Sequence, residues 1–166
     1  MCNMAIKIGN IDISAFKVGS DDCKVYLGET LVYSGGTTPT SPKLIAYLSG
    51  GTTESISYDG SNCLTSGETR NVNDRGSVTS ATVSDYITCI DENTFGGRGS
   101  RFTAFIYIEE ITFLSTTPPT CTYQYFSHPF YSLSYLTKIY VPAESVDAYK
   151  AEWSECSSLI QAIPNS

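Results

Sequence analysis

The residues able to do chemistry are few and scattered. His128, the single histidine of a 166-residue chain, sits in Phe126-Ser127-His128-Pro129-Phe130. A catalytic histidine needs a nucleophile and an orienting acid. No local motif supplies either, and no Gly-x-Ser-x-Gly elbow is written anywhere. His128 therefore reads as structural or surface. Carboxylates occur as the neighbours Asp21-Asp22, Asp91-Glu92 and Glu109-Glu110. Adjacent residues on a strand point to opposite faces, so these make poor acid/base pairs for glycoside cleavage. Asp59-Gly60-Ser61-Asn62 and Asn71-Val72-Asn73-Asp74 carry oxygen ligands, but neither has the loop length and closing Glu of a calcium site. Gly96-Gly97-Arg98-Gly99-Ser100 lacks the Lys-Ser/Thr ending and following helix of a phosphate loop. The expectation is no catalytic residue, no metal and no cofactor.

The cysteines Cys2, Cys23, Cys63, Cys89, Cys121 and Cys156 include no Cys-x-x-Cys pair. They are expected to be free thiols, mostly buried, in a reducing cytosol. The densest feature is aromatic: Tyr123, Tyr125, Phe126, Phe130, Tyr131 and Tyr135. One reading packs this insertion on the rest of the domain or in an oligomer contact. The other makes it a stacking platform for glycan or receptor, because Tyr joins an apolar face to a polar tip. These six are the candidate binding surface.

Composition narrows the partners. Ten Lys and Arg against 17 Asp and Glu leave a net charge of −7, so neither nucleic acid nor an anionic membrane surface is an expected partner. No apolar run approaches the ~20 residues of a membrane span. The opening residues have no charged region followed by an apolar one, so a chain made in the cytosol, without a secretory signal, is expected.

The elements that must position these groups are mostly strands. Within residues 1–34 alternation is good: Ile6/Ile8, Ile11/Ile13, Phe16/Val18, Val25/Leu27 and Leu31/Tyr33, punctuated by Gly9, Gly19 and Gly28. This predicts a short β-meander, too thin to be stable uncovered. Its Ile6, Ile8, Phe16, Val18, Val25, Leu27, Leu31 and Tyr33 are the candidate docking residues. Residues 35–42, Gly-Gly-Thr-Thr-Pro-Thr-Ser-Pro, read as a linker. Residues 43–166 form the second part, opening with a hairpin of 43–48 and 54–58. Residues 59–77 read as loop with one short strand near Cys63. A template of large apolar, Thr, small or polar, apolar, any, apolar then recurs. It runs at Val78-Thr79-Ser80-Ala81-Thr82-Val83, at Phe102-Thr103-Ala104-Phe105-Ile106-Tyr107 and at Leu136-Thr137-Lys138-Ile139-Tyr140-Val141. Such recurrence predicts stacked repeats needing a cover at each end. A C-terminal helix over 143–153, with Val146, Tyr149 and Trp153 on one stripe, is the predicted cap. Residues 159–163 are the last predicted strand.

The repeat template, with Ile90-Asp91-Glu92-Asn93-Thr94-Phe95 and the ending Lys138-Ile139-Tyr140-Val141-Pro142-Ala143-Glu144-Ser145-Val146-Asp147-Ala148-Tyr149-Lys150, resembles the BspA-like leucine-rich repeat over roughly residues 78–163. The resemblance implies a mainly β fold: a short N-terminal β-meander plus a short leucine-rich-repeat-type solenoid with a C-terminal capping helix. Val25-Tyr26-Leu27-Gly28-Glu29-Thr30-Leu31-Val32-Tyr33 resembles modules on virion proteins of tailed, crAss-like phages of gut Bacteroides-type bacteria. Together the two resemblances imply a non-enzymatic virion protein: a head fibre, capsid decoration or tail-associated adhesin. Its implied partners are other virion proteins, a host-surface glycan or protein, and copies of itself, a trimer being one arrangement. The alternative is a BspA-like adhesion or protein-binding module on a bacterial cell surface.

Overall fold

The computed structural model describes residues 6–8, 11–13, 24–27, 30–34, 39–96, 105–122, 129–130 and 132–164. The chain divides into two compact units, Met1–Pro39 and Thr40–Ser166. In the first, β1 (Ile6–Ile8) pairs antiparallel with β2 (Ile11–Ile13). Likewise β3 (Lys24–Leu27) pairs antiparallel with β4 (Thr30–Ser34), with a register shift between Val25 and Tyr26. Two residues separate the strands of each pair, Gly9-Asn10 and Gly28-Glu29, the interval of a tight hairpin. Ile6, Ile8, Val25, Leu27, Leu31 and Tyr33 fall on these strands, whereas Phe16 and Val18 lie outside the described residues.

The second unit is sheet-rich with few, short helices. It opens with the hairpin β5 (Leu44–Leu48) and β6 (Thr53–Ile56). Gly51 takes φ +78° in its turn, a conformation strained for any residue with a Cβ. Next come β7 (Cys63–Leu64), a one-turn helix α1 (Ser66–Arg70), β8 (Val78–Val83) and β9 (Cys89–Asp91). They are followed by β10 (Glu110–Phe113), β11 (Thr120–Thr122) and β12 (Lys138–Val141). Helix α2 (Val146–Glu152) and β13 (Ile160–Ala162) close the unit.

These strands form two sheets. A mixed six-stranded sheet has the order β13-β12-β10-β8-β5-β6, and a three-stranded parallel sheet the order β11-β9-β7. From β8 to β13 the larger sheet is parallel, and β5 joins it antiparallel to β8. Ser80 stands opposite Glu110 and Glu110 opposite Lys138. Ala81, Ile111 and Ile139 form the next row inward. One buried cluster collects the inward residues of both sheets, among them Leu64, Ile90, Val83, Phe113 and Val141.

The register corrects the repeat. Its middle copy is Ile108-Glu109-Glu110-Ile111-Thr112-Phe113, not 102–107. Ile108, Ile111 and Phe113 are fully buried in line with Val78, Ala81 and Val83. Ile106 and Tyr107 instead occupy an exposed turn. Phe105-Ile106-Tyr107 carries the right residue types, but it precedes β10, whose pairing with β8 and β12 begins at Glu110.

The expectation of six free thiols also fails. Cys63 and Cys89 are register partners on β7 and β9, 4.6 Å apart at Cα, and are joined as a disulfide. Their separation of 26 residues hides the pair until the strands are aligned. Within the segment read as loop, α1 begins on a capping box. The Thr65 hydroxyl accepts from the Glu68 N–H, and the Glu68 carboxylate accepts from the Thr65 N–H at 2.8 Å.

Helix α2 buries the predicted stripe. Tyr149 and Trp153 are 0% and 2% exposed, and Val146 packs against the core. Trp153 meets Phe113 at 5.0 Å, Phe130 at 5.2 Å and Tyr149 at 4.9 Å between ring centroids. Leu136, Ile139 and Val141 share this buried cluster, but the ring contacts go to Phe113 and Phe130.

Candidate binding face

Sheet alternation sends one set of side chains outward from the larger sheet. Register aligns them into rows. One row runs Thr53, Tyr47, Ser80, Glu110 and Lys138. The next runs Ser55, Ile45, Thr82, Thr112, Tyr140 and Gln161. Most are hydroxyl or aromatic residues, and Tyr47 is 39% exposed. The charged members neutralise each other: Lys138 Nζ lies 2.8 Å from Glu110 Oε1. The hydrogen bond to Glu110 raises the Lys138 pKa, helped by the neighbouring Tyr140, whose ring centroid is 5.7 Å from the ammonium. The face can bind through aromatic carbon and neutral hydrogen-bonding groups.

Of the six aromatics of the candidate surface, Phe130 and Tyr135 fall among the described residues. Phe130 is 3% exposed and stacks on Phe95 at 5.7 Å, so it belongs to the core. Tyr135 is exposed and contacts Tyr107 edge-on at 5.2 Å. Tyr123, Tyr125, Phe126 and Tyr131, like His128, lie outside the described residues. Sequence reading missed Tyr107 because it was placed inside a repeat strand. Its signal was its spacing from Tyr135, the same 28 residues that separate Glu110 from Lys138.

The other polar candidates serve the fold. Asp91 accepts from the Ser66 N–H at 2.8 Å, and the single proton of the Thr94 hydroxyl is shared between Asp91 Oδ1 at 2.9 Å and the Leu64 carbonyl at 3.0 Å. Ile90-Asp91-Glu92-Asn93-Thr94-Phe95 thus ties one turn of chain to the strand before it. Glu54 accepts from Asn73 N–H and Nδ2, which explains the second oxygen-rich turn. Glu54, Asp59 and Glu68 line a cavity of about 350 Å³. Another of about 300 Å³ is lined by Phe130, Leu136, Cys156 and Leu159. Burial pushes the Cys156 thiol up to about 11, against a nucleophilic role.

The largest surprise is Lys43, fully buried in front of β5. Its ammonium donates to the Cys63 carbonyl at 2.8 Å and pairs with Asp59 at 2.6 Å and Glu68 at 2.7 Å. Burial works to lower its pKa, but the two carboxylates outweigh that and raise it. The same pairing, with the Ser61 N–H, lowers that of Asp59. A lysine at a strand start reads as solvated, so nothing in the sequence announced it.

Among the described residues no group of three His, Cys, Asp or Glu side chains could hold a metal ion. None of their helices is long and apolar enough to cross a membrane. No protein-family model matches the chain, and no curated protein sequence matches it.

Proposed function

We propose that residues 43–166 are a short BspA-like leucine-rich-repeat solenoid in a non-catalytic structural and binding protein of a phage virion. It would act there as head fibre, capsid decoration or tail-associated adhesin. The observation that carries the solenoid reading is the paired advance of two parallel ladders. The chain visits β7, β8, β9, β10, β11 and β12 in turn, alternating between the small and large sheets. Each pass buries its apolar edge on its neighbours, as a repeat that cannot fold alone must. The virion assignment rests on the resemblance of the N-terminal strands, with residues 1–34 as the docking module and other virion proteins as its partners. Self-association, a trimer included, belongs to the same proposal. The Cys63–Cys89 link suits a protein that works outside a reducing cytosol. That observation equally favours the second reading, a bacterial cell-surface adhesion module.

The test is immunogold labelling of purified particles and of uninfected cells with antibody against the full chain. The virion reading expects label on particles, lost when residues 1–34 are deleted. Label confined to the envelope of uninfected cells replaces it with the second reading.

A further inference from the structure

We propose that Tyr107 and Tyr135 form a stacking site for a neutral glycan beside the outward face of β10 and β12. The proposal rests on the reading of this chain as a binding protein and names the ligand class. The two rings are not neighbours by accident. Each lies three residues ahead of a member of the Glu110–Lys138 register pair, so the parallel strands set them side by side. Their centroids are 5.2 Å apart at 60°, yet the residues stay 49% and 52% exposed, the highest values among the exposed large apolar side chains of the described residues. Ile106, 39% exposed, extends the patch. Packing therefore fixes the pair without covering it.

The surroundings select the ligand. On the flanking strands Lys138 and Glu110 are closed on one another at 2.8 Å, and the remaining charge at this border, exposed Glu109, disfavours an anionic ligand. Neither of the two cavities described above is lined by these rings. The carboxylates of the acid-lined cavity are already occupied by Lys43 and Asn73. A pyranose, by contrast, has one face of C–H groups and a rim of hydroxyls. Tyr offers a flat apolar face for the first and a phenol tip for the second. Exposed Ser134, Thr137 and Glu109 supply further donors and acceptors along the same border.

The test uses native gels of the full chain cast with dextran, mannan, laminarin or a galactan, and with alginate as a charged control. Retardation by at least one neutral polysaccharide is expected, with affinity falling roughly tenfold or more in Tyr107→Ala and in Tyr135→Ala. Tyr135→Phe should retain most of the binding, and Lys150→Ala, on the exposed side of α2, all of it. Circular dichroism melts should be unchanged in each variant. No retardation by any of the four overturns the proposal, as does retardation that survives the double alanine variant. A smaller particle for that variant in size-exclusion chromatography also overturns it, making the patch a contact between copies. Failed retardation with normal particle labelling defeats the glycan site alone. Label absent from particles defeats the virion reading while leaving the glycan result to stand.

Discussion

At one end of the six-stranded sheet the β5–β6 hairpin lies against β8, and the chain around it is held by polar and covalent links. Lys43 bridges Asp59, Glu68 and the Cys63 carbonyl, and Cys63 is bonded to Cys89. At the other end α2 and β13 follow β12, and the closure is aromatic. Trp153, Tyr149, Phe113 and Phe130 interlock, with one buried hydrogen bond of 2.9 Å from the Tyr149 hydroxyl to the Ser115 carbonyl. The two ends of this sheet are thus bordered with opposite chemistry. The aromatic end depends on area and shape, so solution conditions barely reach it. The polar end answers to pH and reductant.

The largest effect should come from breaking the aromatic end. Trp153→Ala empties a site that is 2% exposed. Such truncations cost ~3–5 kcal/mol, a large share of the ~5–15 kcal/mol of a whole domain. A thermal melt should fall steeply or the protein should aggregate, while Lys150→Ala on the exposed side of α2 stays within ~0.5 kcal/mol. An unchanged melt for the tryptophan variant removes α2 from the closure. The indole Nε1 has no hydrogen-bond partner among the described residues.

Next in size is the sulfur link. Releasing a crosslink across a separation of 26 residues costs ~3–4 kcal/mol on the chain-entropy account. Reductant, or Cys63→Ser with Cys89→Ser, should lower the melting midpoint of the parent, and reductant should do nothing further to the double variant. Alkylation of unreduced, denatured protein should leave this pair unmodified. Six modified cysteines would return the chain to the free-thiol expectation.

The legible parts of the fold were those written by alternation or by a stripe. Ile6/Ile8 and Leu31/Tyr33 marked strands, and Val146, Tyr149 and Trp153 marked the buried side of α2. The repeat was legible as a pattern but not in position, because both 102–107 and 108–113 alternate. Only the partners opposite Glu110, Ser80 and Lys138, decide between them. Helix α1 is a single turn with Gly67 in its first half, too short for periodicity. Its capping box, Thr65 to Glu68, was its one sequence signal. Within the candidate site Tyr135 was named, but its partner Tyr107 and the Glu110–Lys138 pair are products of strand register. The same holds for Lys43, whose carboxylates come from the loop after β6 and from α1.

The smallest effect sharpens the comparison through pH. Lys43→Met leaves the Cys63 carbonyl without its donor, at ~1–3 kcal/mol. In the parent, Asp59 has a lowered pKa through its bond to Lys43. Its contribution is therefore present above the ordinary Asp value of ~3.9 and lost as pH falls through the lower folded value. Lys43 has a raised pKa, so its contribution is full below ~10.4 and lost as pH rises through the higher folded value. Melts well below about pH 3.9 and well above about pH 10.4 should separate parent from Lys43→Met less than melts at neutral pH. A gap between the two that stays constant from acid to alkali would remove the ionic account of this end.

Trp153 is the sole indole of the chain, and it lies wholly within the aromatic end. Excitation of tryptophan therefore illuminates one closure and is blind to the other. Tyr149, 4.9 Å away, passes its excitation to the same ring, while the Tyr58–Tyr86 pair emits from the far side of the unit. Indole emission and amide absorption, recorded from one unlabelled sample, consequently time two different events. A lag of the amide signal behind the indole signal would mark the aromatic end as opening before the backbone as a whole.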